Sequence, residues 1–128
     1  MSGSKRKEVS MQESLKIAET VVKAADERMA KDIMVLDVAN MTPVADYFII
    51  MDASNERQLS AIVENISEKC HLADIAIKSI EGKDGGKWIL MDLYDVVVHV
   101  FYYSERAHYH LEKIWLDAPT VDITSWLN

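Results

Sequence analysis

Cysteine, glycine and proline are scarce in this sequence, and each shortage limits what the chain can be. The one cysteine, Cys70, cannot form a disulfide within the chain, and a lone thiol fits a reducing compartment. Four glycines and two prolines leave little material for long disordered stretches. No apolar run approaches the roughly 18 residues of a membrane-spanning helix, and no charged-then-apolar leader opens the sequence. We therefore expect a soluble, cytoplasmic protein that makes no membrane contact.

Basic residues are also in the minority. The 14 lysines and arginines are outnumbered by 21 acidic residues, which gives a net charge of −7. Because nucleic-acid binders need a basic surface to displace counterions, we expect no direct recognition of nucleic acid. An acidic surface favours a basic protein partner, although the same charge also serves solubility alone. Charge by itself leaves both interpretations open.

Apolar spacing along the chain predicts one α/β domain. The 128 residues suit a single unit, in which residues 1–10 form a flexible N-terminus, 11–119 the domain and 120–128 a C-terminal tail. The order of patterns is α-β-β-α-β-β-β-α, which predicts a five-stranded mixed sheet flanked by helices. Helices are predicted over about 11–30, 55–70 and 104–115, and strands over 33–38, 47–51, 75–80, 88–93 and 96–102.

Local signals refine this arrangement. Asn55 and Gln58 have the spacing of a capping box at the start of the second helix. The segment 81–87, with its paired glycines, predicts a turn. The nearly uniform apolar run 47–51 is typical of a strand covered on both faces. The last two strands are too close in sequence for a helical crossover, so we expect them to form a hairpin.

The usual catalytic motifs are absent from the sequence. The glycines near residue 85 precede a strand rather than a helix, so they form no phosphate-binding loop, and no G-x-S-x-G elbow is present. Cys70 and His71 are adjacent on a predicted helix and point in different directions, which does not suit a shared proton. His108 and His110, two positions apart on a helix, lie on opposite sides and suit no single metal ion.

Two carboxylates, Asp92 and Asp95, are the strongest enzymatic candidates. Paired carboxylates near a strand end can hold magnesium for phosphoryl or nucleotidyl transfer, but that chemistry also needs the missing phosphate loop. Asp95 is better explained as a residue that shapes the tight connection 93–95. We therefore predict no catalytic residue, no metal and no cofactor.

The strand 88–93 carries the most informative pattern. Side chains alternate between its faces, so Ile89, Met91 and Leu93 suit a helix-covered core. The other face combines Trp88 and Leu90 with the carboxylate of Asp92, which would be costly to bury without a partner. An aromatic and an apolar group beside one charge are typical of a protein-binding surface. Packing of Trp88 under the C-terminal tail, with Asp92 bonded locally, explains the same pattern equally well.

Five segments, in order and spacing, resemble the ribosomal silencing factors of the RsfS/Iojap family. The likeness covers roughly Leu15 to Pro119, and its segments are 46–50, 55–58, 88–92, 95–101 and 105–115. The resemblance implies a nucleotidyltransferase-like fold without the transferase's catalytic signature. It also implies binding to the fourteenth protein of the large ribosomal subunit, on the face that meets the small subunit. There the family blocks subunit joining sterically and represses translation when nutrients are scarce, and free members are often homodimers.

By the same resemblance, the protein-binding residues of this chain are Trp88, Leu90, Asp92, Leu93 and Pro119. We expect Trp88, Leu90 and Pro119 to make apolar contact and Asp92 to pair with a lysine or arginine of the ribosomal protein. Strict alternation points Leu93 away from Trp88, so its inclusion rests on the resemblance alone.

One departure from the family pattern concerns a loop. Asp52-Ala53 stands where many members carry a glycine, which puts the loop conformation in doubt but not the binding function. Two alternatives to silencing remain at this point. The first alternative is an assembly adaptor for the large subunit, as in organelles. The second is a metal-dependent nucleotidyltransferase.

Overall fold

One mixed sheet with two helices on one of its faces forms the body of the chain, in a computed structural model that describes residues 3–104 and 117–128. The order of the described elements is the predicted α-β-β-α-β-β-β. The predicted third helix, over 104–115, lies almost wholly outside the described residues. The elements are α1 (Gly3–Glu27), β1 (Lys31–Asp37), β2 (Tyr47–Ala53), α2 (Glu56–Leu72), β3 (Ser79–Lys83), β4 (Trp88–Asp92) and β5 (Val96–Tyr102).

The five strands lie in the order β1-β2-β5-β4-β3. β2 and β5 pair in parallel, and all other neighbours pair antiparallel. The sheet is therefore mixed, as predicted, and the expected β4–β5 hairpin is confirmed. β2 runs beside β5 in the interior of the sheet and its residues are almost all buried, which confirms that this apolar run is covered on both faces.

Two hydrophobic clusters lie on opposite faces of the sheet. The first fills the space between the sheet and both helices, with Ala18 and Val22 from α1 and Ile62 and Ile66 from α2 fully buried. The alternation of β4 places Met91 in this cluster. The second cluster occupies the other face and contains Leu36, Ile50, Val97, Phe101 and Ala118, with Trp88 and Leu90 packed against it. The predicted division of strand 88–93 into two faces is confirmed.

Gln58 fixes the start of α2 and ties the two helices together. The Asn55 side chain accepts a hydrogen bond of 2.8 Å from the Gln58 amide, as the capping box predicts. The Gln58 Oε1 atom accepts from the Ser54 amide at 2.6 Å. The same side chain donates through Nε2 to the carbonyl oxygens of Arg28 and Met29, at 3.0 and 2.9 Å. One residue thus joins the cap of α2 to the end of α1.

Three predicted boundaries are wrong. β3 covers 79–83 rather than 75–80, because its partner β4 ends at Asp92, opposite Ser79. Before Ser79, the Lys78 amide still donates to the Asp92 carbonyl oxygen, and β4 extends no further. The turn accordingly contracts from 81–87 to 84–86, where Gly85 and Gly86 take the positive φ that the tight reversal requires. α1 spans 3–27 rather than 11–30. Met29 follows the helix with φ of 63° and is 74 % exposed.

The C-terminal segment pairs with the outer edge of β1. The Asp37 amide donates to the Pro119 carbonyl oxygen at 2.8 Å, and the Val121 amide donates to that of Val35 at 2.9 Å. Between these bonds Leu36 and Thr120 form an antiparallel bridge. The following apolar side chains pack against the helix-side core, so the expected docking of the tail on the body is confirmed.

A candidate protein-binding surface

Aromatic side chains from three strands meet on the sheet face opposite α1 and α2. We call this the aromatic face and define it by Phe48, Trp88, Leu90, His99 and Phe101. The register sets Trp88 opposite Phe101 and Leu90 opposite His99. The rings of Trp88 and Phe101 stack with centroids 5.2 Å apart, and Phe48 meets His99 edge-on at 5.4 Å. Such offset and edge-to-face contacts hold the rings in fixed orientations.

The aromatic face is graded from buried to accessible. Phe101 is fully buried and His99 is 5 % exposed. Phe48, Trp88 and Leu90 are only half-buried. The partly accessible side chains therefore rest on a packed aromatic floor, so a partner can contact them at little cost in side-chain entropy.

His99 occupies the middle of this floor in a neutral form. Its Nδ1 atom accepts a hydrogen bond of 3.2 Å from the Trp88 indole nitrogen. Burial lowers the pKa of His99 to about 4, because the charged imidazolium would lose its hydration. The ring is therefore uncharged near neutral pH, and it holds the Trp88 indole through a directed bond.

Asp92 lies at the end of β4, on the same face as Trp88 and Leu90. It is half-buried, and its Oδ1 atom accepts a hydrogen bond of 2.8 Å from the Tyr94 amide. Tyr94 has a φ of 72° and its ring is exposed. The local bonding of Asp92 is thus present, and the carboxylate remains partly accessible beside the aromatic face.

The structure places Leu93 and Pro119 away from Trp88. Leu93 is 2 % exposed and lies in the helix-side core, so the structure does not bring it to the aromatic face. Pro119 is exposed and joins the far edge of the sheet at Asp37. Since the tail, β1, β2, β5 and β4 are successive neighbours, Pro119 lies about four strand spacings, or roughly 19 Å, from Asp92.

Sequence reasoning found the β4 side chains of this surface but missed Phe48, His99 and Phe101. A signal for the last two was available, because the predicted hairpin sets alternate residues of 96–102 beside Trp88 and Leu90. Phe48 carried no such signal. Its position depends on the parallel pairing of β2 with β5, which periodicity does not reveal.

The catalytic and metal-binding candidates that the sequence analysis set aside do not form a site in the described residues. Cys70 is buried in the helix-side core, and burial raises the pKa of its thiol to about 11, which opposes formation of the nucleophilic thiolate. Among the described residues no group of three or more histidine, cysteine, aspartate or glutamate side chains is placed to hold a metal ion. His108 and His110 lie outside the described residues.

Asp95 joins the start of β2 to the start of β5. Its carbonyl oxygen accepts from the amides of Asp46 and Tyr47, at 2.7 and 3.2 Å. Burial raises the pKa of Asp95, and the nearby carboxylates of Asp46 and Glu13 raise it further. The sequence suggested that Asp95 shapes the connection 93–95. In the structure, the side chain that accepts a hydrogen bond within this connection is that of Asp92.

The model of the family described as "Ribosomal silencing factor during starvation" matches residues 11–128. The chain belongs to this family. The silencing factor RsfS of Bacillus subtilis is 43 % identical over 105 residues, which cover 82 % of this chain and 89 % of the relative. That of Halalkalibacterium halodurans is 41 % identical over 115 residues, covering 90 % and 96 %. The predicted family resemblance is confirmed.

A solved structure supports the fold. A crystal structure of a Chromobacterium violaceum protein superposes with a TM-score of 0.76 at 30 % identity, covering 80 % of this chain and 85 % of that one. Organellar proteins are similar as well. The chloroplast protein Iojap of Zea mays is 33 % identical over 87 % of this chain and 48 % of its own length. None of the helices in residues 3–104 and 117–128 has the length and apolar character needed to cross a membrane.

Proposed function

We propose that this chain silences ribosomes by binding the large subunit through its fourteenth protein and preventing the small subunit from joining. The observation that carries the proposal is the aromatic face with Asp92 beside it, in a chain of the silencing-factor family. Trp88 and Leu90 make the apolar contact, and Asp92 pairs with a basic side chain of the ribosomal protein. Pro119 extends the contact to the far edge of the sheet, whereas Leu93 supports β4 from beneath.

The mechanism requires occupancy and no chemistry. A body about 30 Å across at the intersubunit face leaves no room for the small subunit. A net charge of −7 suits a basic protein and opposes loose adsorption on ribosomal RNA, so repulsion contributes to specificity. We place this action in the cytoplasm, as repression of translation under nutrient limitation, and expect the free protein to be a homodimer.

Sedimentation of ribosomal subunits tests the proposal. Purified chain is mixed with separated subunits of Bacillus subtilis, the source of a 43 % identical relative, and is run on sucrose gradients. The chain should travel with the large subunit alone and should lower the fraction of joined ribosomes. An unchanged joined fraction at saturating protein would contradict the proposal.

Assembly of the large subunit is the second candidate. It is favoured by a mouse relative named "Mitochondrial assembly of ribosomal large subunit protein 1", which is 35 % identical over 91 residues. Both functions would use the same surface. Depletion of the protein in cells separates them, because an assembly factor leaves immature large particles whereas a silencing factor leaves mature subunits that join too readily.

A further inference from the structure

One buried polar atom on the aromatic face has no hydrogen-bond partner among residues 3–104 and 117–128. The Nε2 atom of His99 is shielded from solvent, and no described residue offers it an acceptor. The other ring nitrogen, Nδ1, is occupied by the Trp88 indole at 3.2 Å. Buried polar atoms in native proteins are nearly always paired, so an unpaired one calls for an explanation.

The bond to Trp88 determines what kind of group Nε2 is. An indole nitrogen can only donate, so Nδ1 must act as the acceptor and carry no proton. The ring is neutral near pH 7 because burial holds its pKa at about 4. The single ring proton therefore lies on Nε2, which makes this atom a hydrogen-bond donor.

Packing does not require a histidine at this position. The ring stacks parallel to Phe101 with centroids 6.3 Å apart and meets Phe48 edge-on. A phenylalanine would fill the same space and bring no Nε2 donor, although the Trp88 indole would then lose its acceptor at Nδ1. The Nε2 donor therefore costs stability in the free protein, and a partner is the natural source of its acceptor.

We propose that His99 is a specificity-determining residue of the ribosome-binding surface, whose Nε2–H donates to a neutral oxygen of the partner, such as a main-chain carbonyl. This inference rests on the proposed function. A neutral acceptor is favoured over a carboxylate because the chain is acidic and Asp92 lies on the same face. Docking must open the packing around this atom, because Nε2 is shielded from solvent in the free protein.

Two substitutions separate the donor from the rest of the ring. In His99→Asn the amide lies near the position of Nδ1, so the bond to Trp88 is retained and the Nε2 donor is lost. In His99→Gln the longer side chain returns a donor to the position of Nε2. Cosedimentation titrations with Bacillus subtilis large subunits should show about tenfold weaker binding for His99→Asn. His99→Gln should remain within about twofold of the wild type, and melting curves check that both variants fold.

The outcomes distinguish this inference from the proposed function. Wild-type protein that fails to bind large subunits contradicts the proposed function itself. If the wild type binds and His99→Asn binds with the same affinity, only the role of His99 is overturned. The same conclusion follows if His99→Gln folds but binds as weakly as His99→Asn.

His99→Phe serves as the second variant if the amide substitutions do not fold. It keeps the ring packing and removes both the Nε2 donor and the acceptor of the Trp88 indole, so it should fold while binding more weakly. Unchanged affinity would overturn the proposal. Nitrogen-15 spectra of the free wild-type protein should show the imidazole proton on Nε2, and a proton on Nδ1 would overturn it independently.

Discussion

Trp88 is stacked on Phe101 and is half-buried. A large ring that is held in place and still accessible is typical of a binding hot spot. Trp88→Ala should weaken binding to large subunits by about 2 kcal/mol or more, measured by cosedimentation titration. Trp88→Phe keeps most of the ring and should lose less. A folded alanine variant with wild-type affinity would remove Trp88 from the contact.

Asp92 combines a structural bond with a charge, and two substitutions separate them. Asp92→Asn keeps an oxygen for the Tyr94 amide but removes the charge. Asp92→Lys reverses the charge and should weaken binding further, because like charges then meet. We expect affinities in the order wild type, Asp92→Asn, Asp92→Lys. If the lysine variant bound as well as the wild type, the proposed charge pair would be wrong.

His99 should make stability depend on pH. Its pKa is about 4 in the folded chain against an ordinary 6.5, so between these values the unfolded chain binds more protons. Stability is therefore complete above about pH 6.5 and falls as pH drops towards 4, by about 3 kcal/mol in total. Urea unfolding at several pH values measures this slope. The His99→Gln variant should lose that part of the slope, and an identical slope would contradict the assignment.

At the scale of elements, Gln58 joins the start of α2 to the end of α1. Gln58→Ala removes the acceptor for Ser54 and both bonds to the carbonyl oxygens of Arg28 and Met29. We expect a loss of about 1–2 kcal/mol in the free energy of unfolding, measured by urea titration. Gln58→Glu restores only the acceptor, so its free energy of unfolding should lie between those of the wild type and Gln58→Ala. An alanine variant as stable as the wild type would show that these bonds add nothing net.

The strands show how far local pattern predicts the fold. The uniform apolar run of β2 predicted its burial correctly because both faces of a central strand meet apolar neighbours. β3 was misplaced by several residues because the length of its partner sets where it begins, and pairing is not visible in a single segment. Ile75 and Ile77 look like strand residues, yet they pack on the core before the strand begins.

The candidate site follows the same rule. The alternation of β4 is local, so Trp88, Leu90 and Asp92 were correctly predicted to share a face. Phe48 joins that face only through the parallel pairing of β2 and β5, a contact between strands far apart in sequence. The position of Pro119 depends likewise on the tail reaching β1. Sequence alone therefore predicts the centre of the surface better than its margins.

At the scale of the whole molecule, charge should govern how binding responds to salt. A chain with a net charge of −7 attracts a basic protein over distances that dissolved ions screen. Affinity for large subunits should fall several-fold as salt rises from about 0.05 to about 0.3 M, measured by cosedimentation. Asp92→Asn should show a shallower dependence. An affinity that did not respond to salt would contradict charge pairing with the partner.

The C-terminal segment that lies along β1 also restricts how copies of this chain can associate. It occupies the outer edge from Val35 to Asp37, and the rest of β1 is irregular, with a register shift and a positive φ at Asp32. Among the described strands, β3 is the remaining regular edge strand, and it pairs with a neighbour on one side only. Because the described strands then offer a single template for a further strand, backbone pairing through β3 joins two copies and leaves no second edge of this kind among them.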